Sequence, residues 1–154
     1  MNQNWIIAGV LFICSVIILN LSGLMKGSAT SDFSDELKPE DNPLQPCPES
    51  PNCISVSRKL NVESRPLFDI LPRILAEMNA EKIKPDSQIL QIDAVFRIPV
   101  FGFRDDVSIR IESGKKAGES VLYLSSRSRV GRGDFGVNRR RLKSFLRILN
   151  NYLN

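Results

Sequence analysis

Between Trp5 and Met25 the chain runs WIIAGVLFICSVIILNLSGLM, 21 residues without one charge, and any layout of the molecule must first place that run. As a helix it is roughly 31 Å long, enough to cross the hydrocarbon of a bilayer. Trp5 stands where an interfacial aromatic belongs. The run therefore predicts a single-pass transmembrane helix over 5–25 behind a short tail, 1–4. A cleaved signal peptide is the competing expectation, with Gly27, Ser28 and Ala29 as small residues for a cleavage site. The anchor is preferred, because the run exceeds the roughly 7–15 residues of a signal h-region and Met1 to Asn4 carry no Lys or Arg. A lipoprotein reading of Cys14 is weaker, since bulky Phe12 and Ile13 precede it.

Residues 26–46 change to Ser, Asp, Glu and Pro, with Asp32, Asp35, Glu36, Glu40 and Asp41 to solvate the segment and Pro39, Pro43 and Pro46 to stiffen it. Such a composition cannot bury a core, so it reads as a linker, and the folded domain is expected over 47–154. From Ile54 onward there are 19 Lys and Arg against 11 Asp and Glu, a net +8, whereas Lys26 to Cys53 holds two against six. The basic character belongs to the domain, which is long enough for one modest core.

Within the domain, Asp69 with Pro72 in the first turn predicts a helix start, and Ile70, Leu71, Ile74, Leu75 and Met78 continue at helical spacing until Pro85 stops the helix near Ile83. Leu90, Ile92, Ala94, Phe96 and Ile98 alternate with mostly polar neighbours, a half-buried strand ended by Pro99. Val107, Ile109 and Ile111 alternate likewise, and with the following ESVLYLSSR they predict a hairpin. Leu142, Phe145, Leu146, Leu149, Tyr152 and Leu153 form an apolar stripe with Arg139, Arg140, Arg141, Lys143 and Arg147 largely off it, an amphipathic C-terminal helix. The order helix, three strands, helix predicts an α+β fold: a two-layer domain, an antiparallel sheet of about three or more strands with two helices on one face.

Three segments, CPESPNC at 47–53, FGFRDDV at 101–107 and SRSRVGRGDFGVNRRR at 126–141, resemble the domain of unknown function 1499 family. The last carries Ser128, Arg129, Gly131, Asp134, Gly136, Asn138, Arg139 and Arg141 in the family's spacing. The resemblance runs from about Cys47 to Leu149. It implies a small domain, often behind one membrane helix, with no established reaction or ligand.

The chain has no His, and two thiols at Cys47 and Cys53 fall short of the four ligands of a zinc site, so no metal and no other cofactor is expected. In an oxidising compartment these two cysteines would form a disulfide; the alternatives are two inert buried thiols in a cytoplasmic domain or a reactive redox pair. The staple is preferred, and it favours an extracytoplasmic domain, periplasmic or lumenal. Lys26 and Lys38, which follow the apolar run, argue weakly for the opposite orientation.

Asp105 and Asp106 are adjacent, so on a strand they would face opposite ways and could act as an acid/base pair only across a bulge. A turn in which they bond backbone N–H groups or Arg104 is the plainer expectation. Ser125, Ser126 and Ser128 lack a His to activate them, with Lys143 the one basic alternative. The strongest candidate is the basic loop and helix start with Arg127, Arg129, Gly131, Asp134, Asn138, Arg139 and Arg141. Its glycines and guanidinium groups could assemble a seat for phosphate, sulfate or carboxylate. The bland alternative pairs Arg129 with Asp134, uses Asn138 as a helix cap and leaves the other arginines solvated. The expectation is a non-catalytic module that binds an anionic lipid, an envelope polymer or an acidic protein. An enzyme or enzyme accessory acting on an anionic substrate is the alternative, and nucleic acid is disfavoured by the extracytoplasmic placement.

Overall fold

The computed structural model describes residues 42–99 and 102–154. The apolar run at 5–25, the tail before it and the linker as far as residue 41 lie outside them. Among the described residues no helix is long and apolar enough to cross a membrane.

The domain is α+β. Strands β1 (Cys53–Leu60), β2 (Lys82–Asp86), β3 (Gln91–Arg97), β4 (Arg104–Ser113) and β5 (Ser120–Ser128) form one sheet, with helix α1 (Ser64–Glu77) between β1 and β2 and helix α2 (Val137–Leu153) after β5. The order across the sheet is β1-β5-β4-β3-β2 and every neighbouring pair is antiparallel. Strands β2 to β5 are a meander; β1 closes the far edge against β5, and α1 carries the chain back across the sheet.

The register stacks apolar side chains in rows. Val56, Leu124, Ile109 and Ile92 are successive partners across four strands, and all are buried. They meet Leu67, Phe68, Leu71, Ile74 and Leu75 of α1 and Leu142, Phe145, Leu146 and Leu149 of α2 in one cluster, which places both helices on the same face. The opposite face carries the alternate positions, among them Asp93, Asp106, Ser108 and Arg127.

Two boundaries differ from expectation. Helix α1 begins at Ser64 and ends at Glu77, not over Asp69 to Ile83. The first-turn proline is Pro66, while Pro72 sits inside the helix. Its missing amide bond is offset by the buried row from Leu67 to Leu75. Asn79 stops the helix: it adopts φ 61, its N–H bonds the Ala76 carbonyl and the Ala80 N–H bonds the Leu75 carbonyl, the Schellman pair of bonds. Pro85, expected to end this helix, lies in edge strand β2 opposite Ile92, where a missing donor is tolerated. Strands β1 and β2 were not anticipated.

The core assignment is tested by truncation. Leu71→Ala should cost about 2–5 kcal/mol in urea unfolding because its side chain is fully enclosed, whereas Ile70→Ala, at the margin of the cluster, should cost clearly less.

Candidate functional site

At one end of the sheet three loops converge: residues 47–52 before β1, 98–99 and 102–103 between β3 and β4, and 129–136 between β5 and α2. The inward row there is polar rather than apolar, because Asp105 stands opposite Phe96 and Ser128 and the adjacent inward position of β5 is Ser126. Asn138 and Arg141, one helical turn apart on α2, descend onto it. Arg141 donates from Nη2 to Asp105 Oδ2 at 2.6 Å and from Nη1 to Ser126 Oγ at 3.0 Å and Asn138 Oδ1 at 2.7 Å. Its guanidinium carbon lies 4.9 Å from the centroid of the Phe96 ring. The two charged side chains are 8% and 2% exposed.

Asn138 is fully used. Its Oδ1 accepts from Ser126 Oγ at 2.6 Å as well as from Arg141, and its Nδ2 donates to the Asn52 carbonyl and to Ser128 Oγ, both at 3.0 Å. Such a closed set of bonds is what burial of an ion pair requires. The Asn52 carbonyl also accepts the Ser128 N–H, and the Asn52 side chain donates to the Gly131 carbonyl, so the first loop is tied to the third. Cys47 and Cys53 form a disulfide with Cα atoms 5.6 Å apart, closing the loop that presents Asn52.

The expected anion-site residues fall in three places. Asn138 and Arg141 belong to the buried network. Arg127 and Arg129 lie on the face away from the helices: Arg127 donates to Gln45 Oε1 at 2.9 Å, and Arg129 makes a two-pronged pair with Asp106, Nη2 to Oδ1 at 2.7 Å and Nε to Oδ2 at 2.9 Å. That pairing replaces the anticipated Arg129–Asp134 contact, and the bond to Asp106 raises the Arg129 pKa above its ordinary value. Gly131, Asp134 and Arg139 belong to the loop and helix start, where Gly131 takes φ 88. Arg139 lines an open cavity of about 450 Å³ with Pro51, Ile54, Gly133 and Phe135.

Asp134, not Asn138, serves the helix start. Its Oδ1 accepts the Gly136 N–H and its Oδ2 the Asn138 N–H, each at 2.8 Å. Burial pushes the Asp134 pKa up, but the backbone bonds from Asn138 and Gly136 outweigh it and hold the pKa below the ordinary value. An internal carboxylate thus already occupies the helix N-terminus, the position offered to an external anion.

Asp105 and Asp106 face opposite sides of β4 without a bulge between them, paired with Arg141 and Arg129 rather than with Arg104, which instead binds Glu81. Among the described residues no group of three carboxylates or thiolates converges as a metal site would need. Ser126 and Ser128, weighed as nucleophiles from the sequence, are structural members of the network. Missed from the sequence were Asn52 and the loop-tip residues Arg132 and Phe135. The signal for the network was there in the phase of β5: Ser126 and Ser128 continue the inward series of Leu122 and Leu124.

Removing one partner of the buried pair should be severe. Arg141→Met or Asp105→Leu alone should cost about 3–5 kcal/mol by denaturant unfolding, since each leaves an uncompensated buried charge, while the double substitution should recover most of that loss. A second expectation concerns acid. Because the Asp134 pKa is lowered in the folded state, its contribution, about 1 kcal/mol as a helix cap, is fully present above the unfolded carboxylate value and fades as pH falls through the folded one. The stability gap between the natural protein and Asp134→Ala should therefore close on acidification.

No curated protein matches the chain. A family model does, over residues 43–149, and that span takes in the disulfide loop, all five strands and the buried network of Asn52, Asp105, Ser126, Asn138 and Arg141. On that match the chain belongs to the family described as protein of unknown function (DUF1499).

Proposed function

We propose that this chain is a membrane-anchored, extracytoplasmic domain that binds an anionic partner through the basic loop and helix start after β5, without catalysis. The disulfide supports an oxidising compartment, and the uncharged run at 5–25 supports the anchor. The observation that carries the reading is the disposition of charge at the loop end. Every carboxylate that an acid/base mechanism would draw on is committed: Asp105 to Arg141, Asp106 to Arg129 and Asp134 to backbone N–H groups. Arg132, Arg139 and Arg140 are exposed around the same loop. In this reading Gly131, Asp134, Asn138 and Arg141 shape the loop, Arg139 with Arg132 and Arg140 makes the contact, and Arg127 and Arg129 brace the other face. A tether makes modest contacts sufficient, because it raises the local concentration of domain and partner.

The test is a titration of the full-length protein in neutral detergent with dextran sulfate. Arg132→Ala, Arg139→Ala and Arg140→Ala should each weaken binding roughly two- to fivefold, with a further fall as salt is raised. Lys84→Ala, on the edge strand β2, should change little. Equal losses for Lys84→Ala and the tip arginines would reduce the reading to diffuse charge.

A further inference from the structure

The tip of the loop 129–136 combines two features that folding alone disfavours. Phe135 is 95% exposed and adopts φ 51, a left-handed conformation unfavourable for a bulky residue. It is held there. The flanking Asp134 accepts the N–H groups of Gly136 and Asn138, and Arg140 Nη1 donates to the Phe135 carbonyl at 2.8 Å. Val130 on the same loop is 56% exposed and Phe103 on the neighbouring loop 49%. The Arg129 N–H bonds the Arg104 carbonyl at 3.1 Å, joining these two loops at one end of the sheet. The other exposed large apolar side chains among the described residues, Ile89 and Leu153, lie at the opposite end.

Exposed arginines share this end of the domain with these apolar side chains: Arg97 at the end of β3, Arg132 on the loop, and Arg139 and Arg140 on the first turn of α2. Among the described residues of this end the exposed carboxylates are Glu49 and Glu81, and Glu81 is spent on Arg104, as half-exposed Asp106 is on Arg129. A small-anion pocket needs convergent donors and no aromatic held out into water. A soluble acidic polymer needs the charge but gives the phenyl ring no apolar medium. An apolar tip with exposed guanidinium groups at the same end matches the boundary of a bilayer, where rings enter among acyl chains and arginines reach phosphates.

We propose that this end of the domain docks on an anionic bilayer surface, with Phe135 inserted beside Val130 and Phe103, and Arg97, Arg132, Arg139 and Arg140 paired with lipid phosphates. The inference rests on the anionic-partner reading above and narrows it to lipid. The expected span at 5–25 would keep such a surface in reach.

The experiment uses the full-length protein in nanodiscs of phosphatidylcholine alone or mixed with phosphatidylglycerol, and reads hydroxyl-radical labelling of Phe135 by mass spectrometry. Labelling should fall severalfold on the anionic discs only. Arg132→Gln with Arg140→Gln should restore it, since each basic residue near an anionic surface is worth roughly fivefold in partitioning. Phe135→Ser, which removes no charge and disturbs no buried side chain, should abolish the anion-dependent protection of Val130 while leaving dextran sulfate binding intact. Equal labelling of Phe135 on both discs overturns the lipid assignment. If dextran sulfate still binds through the tip arginines in that case, the broader anionic reading stands and an acidic polymer or protein is the partner; if it does not, both fall.

Discussion

The ion pair between Arg141 and Asp105 is the constraint from which the loop end of this domain is built. Two charges removed from water need more than each other, because their mutual attraction does not by itself repay desolvation. Asp105 is fixed by its register in β4, so α2 must bring Arg141 over that strand end and no other. Ser126 and Asn138 then accept two further bonds from Nη1 of Arg141 and bond each other, and Asn138 extends the set to Ser128 and to the Asn52 carbonyl. The phase of α2, the end of β5 and the position of the disulfide loop are thereby set by one group of bonds. The Cys47–Cys53 bond restrains the short loop that presents Asn52, so the staple acts on the network as well as on the unfolded chain.

The parts of the fold legible in the sequence were those where one periodicity stood alone. Ile92, Ala94 and Phe96 alternate cleanly and proved to be β3; the stripe Leu142, Phe145, Leu146 and Leu149 proved to be the buried face of α2. Strand β1 was obscured because its inward series, Ile54, Val56, Arg58 and Leu60, contains a basic residue. Strand β2 was obscured because KIKPD holds one apolar residue, as an edge strand can. The bounds of α1 turned on choosing between two prolines, and Asn79 was the overlooked stop. For the site, sequence could locate the basic segment but not divide it. Whether an arginine is buried depends on which carboxylate a distant strand places beneath it, and the Arg141–Asp105 contact spans 36 residues.

That division is a consequence of helix geometry. Successive residues on α2 point about 100° apart, so Arg139, Arg140 and Arg141 cannot share one environment. Arg141 turns inward to Asp105, Arg139 faces the cavity beside Pro51 and Ile54, and Arg140 turns back to the Phe135 carbonyl. One residue type in one run therefore provides a core ion pair, an exposed charge and a loop clamp. A count of basic residues overstates the charge that the segment leaves at the surface.

The same polar end explains why Phe135 stays in water. An exposed phenyl ring beside an apolar core would be expected to fold back and bury itself, a gain of about 1.5–3 kcal/mol for a full side chain. Directly beneath this loop the row is polar, because the inward row of the sheet has given way to Asn52, Ser128, Asn138 and the Asp105–Arg141 pair, which bond one another, so the ring could enter there only by displacing them. Displacing any of them would strand a buried polar group at a comparable cost of about 1–3 kcal/mol. The buried network and the apolar tip are thus two sides of one arrangement: the bonds that seal the end of the sheet also keep the aromatic ring outside it.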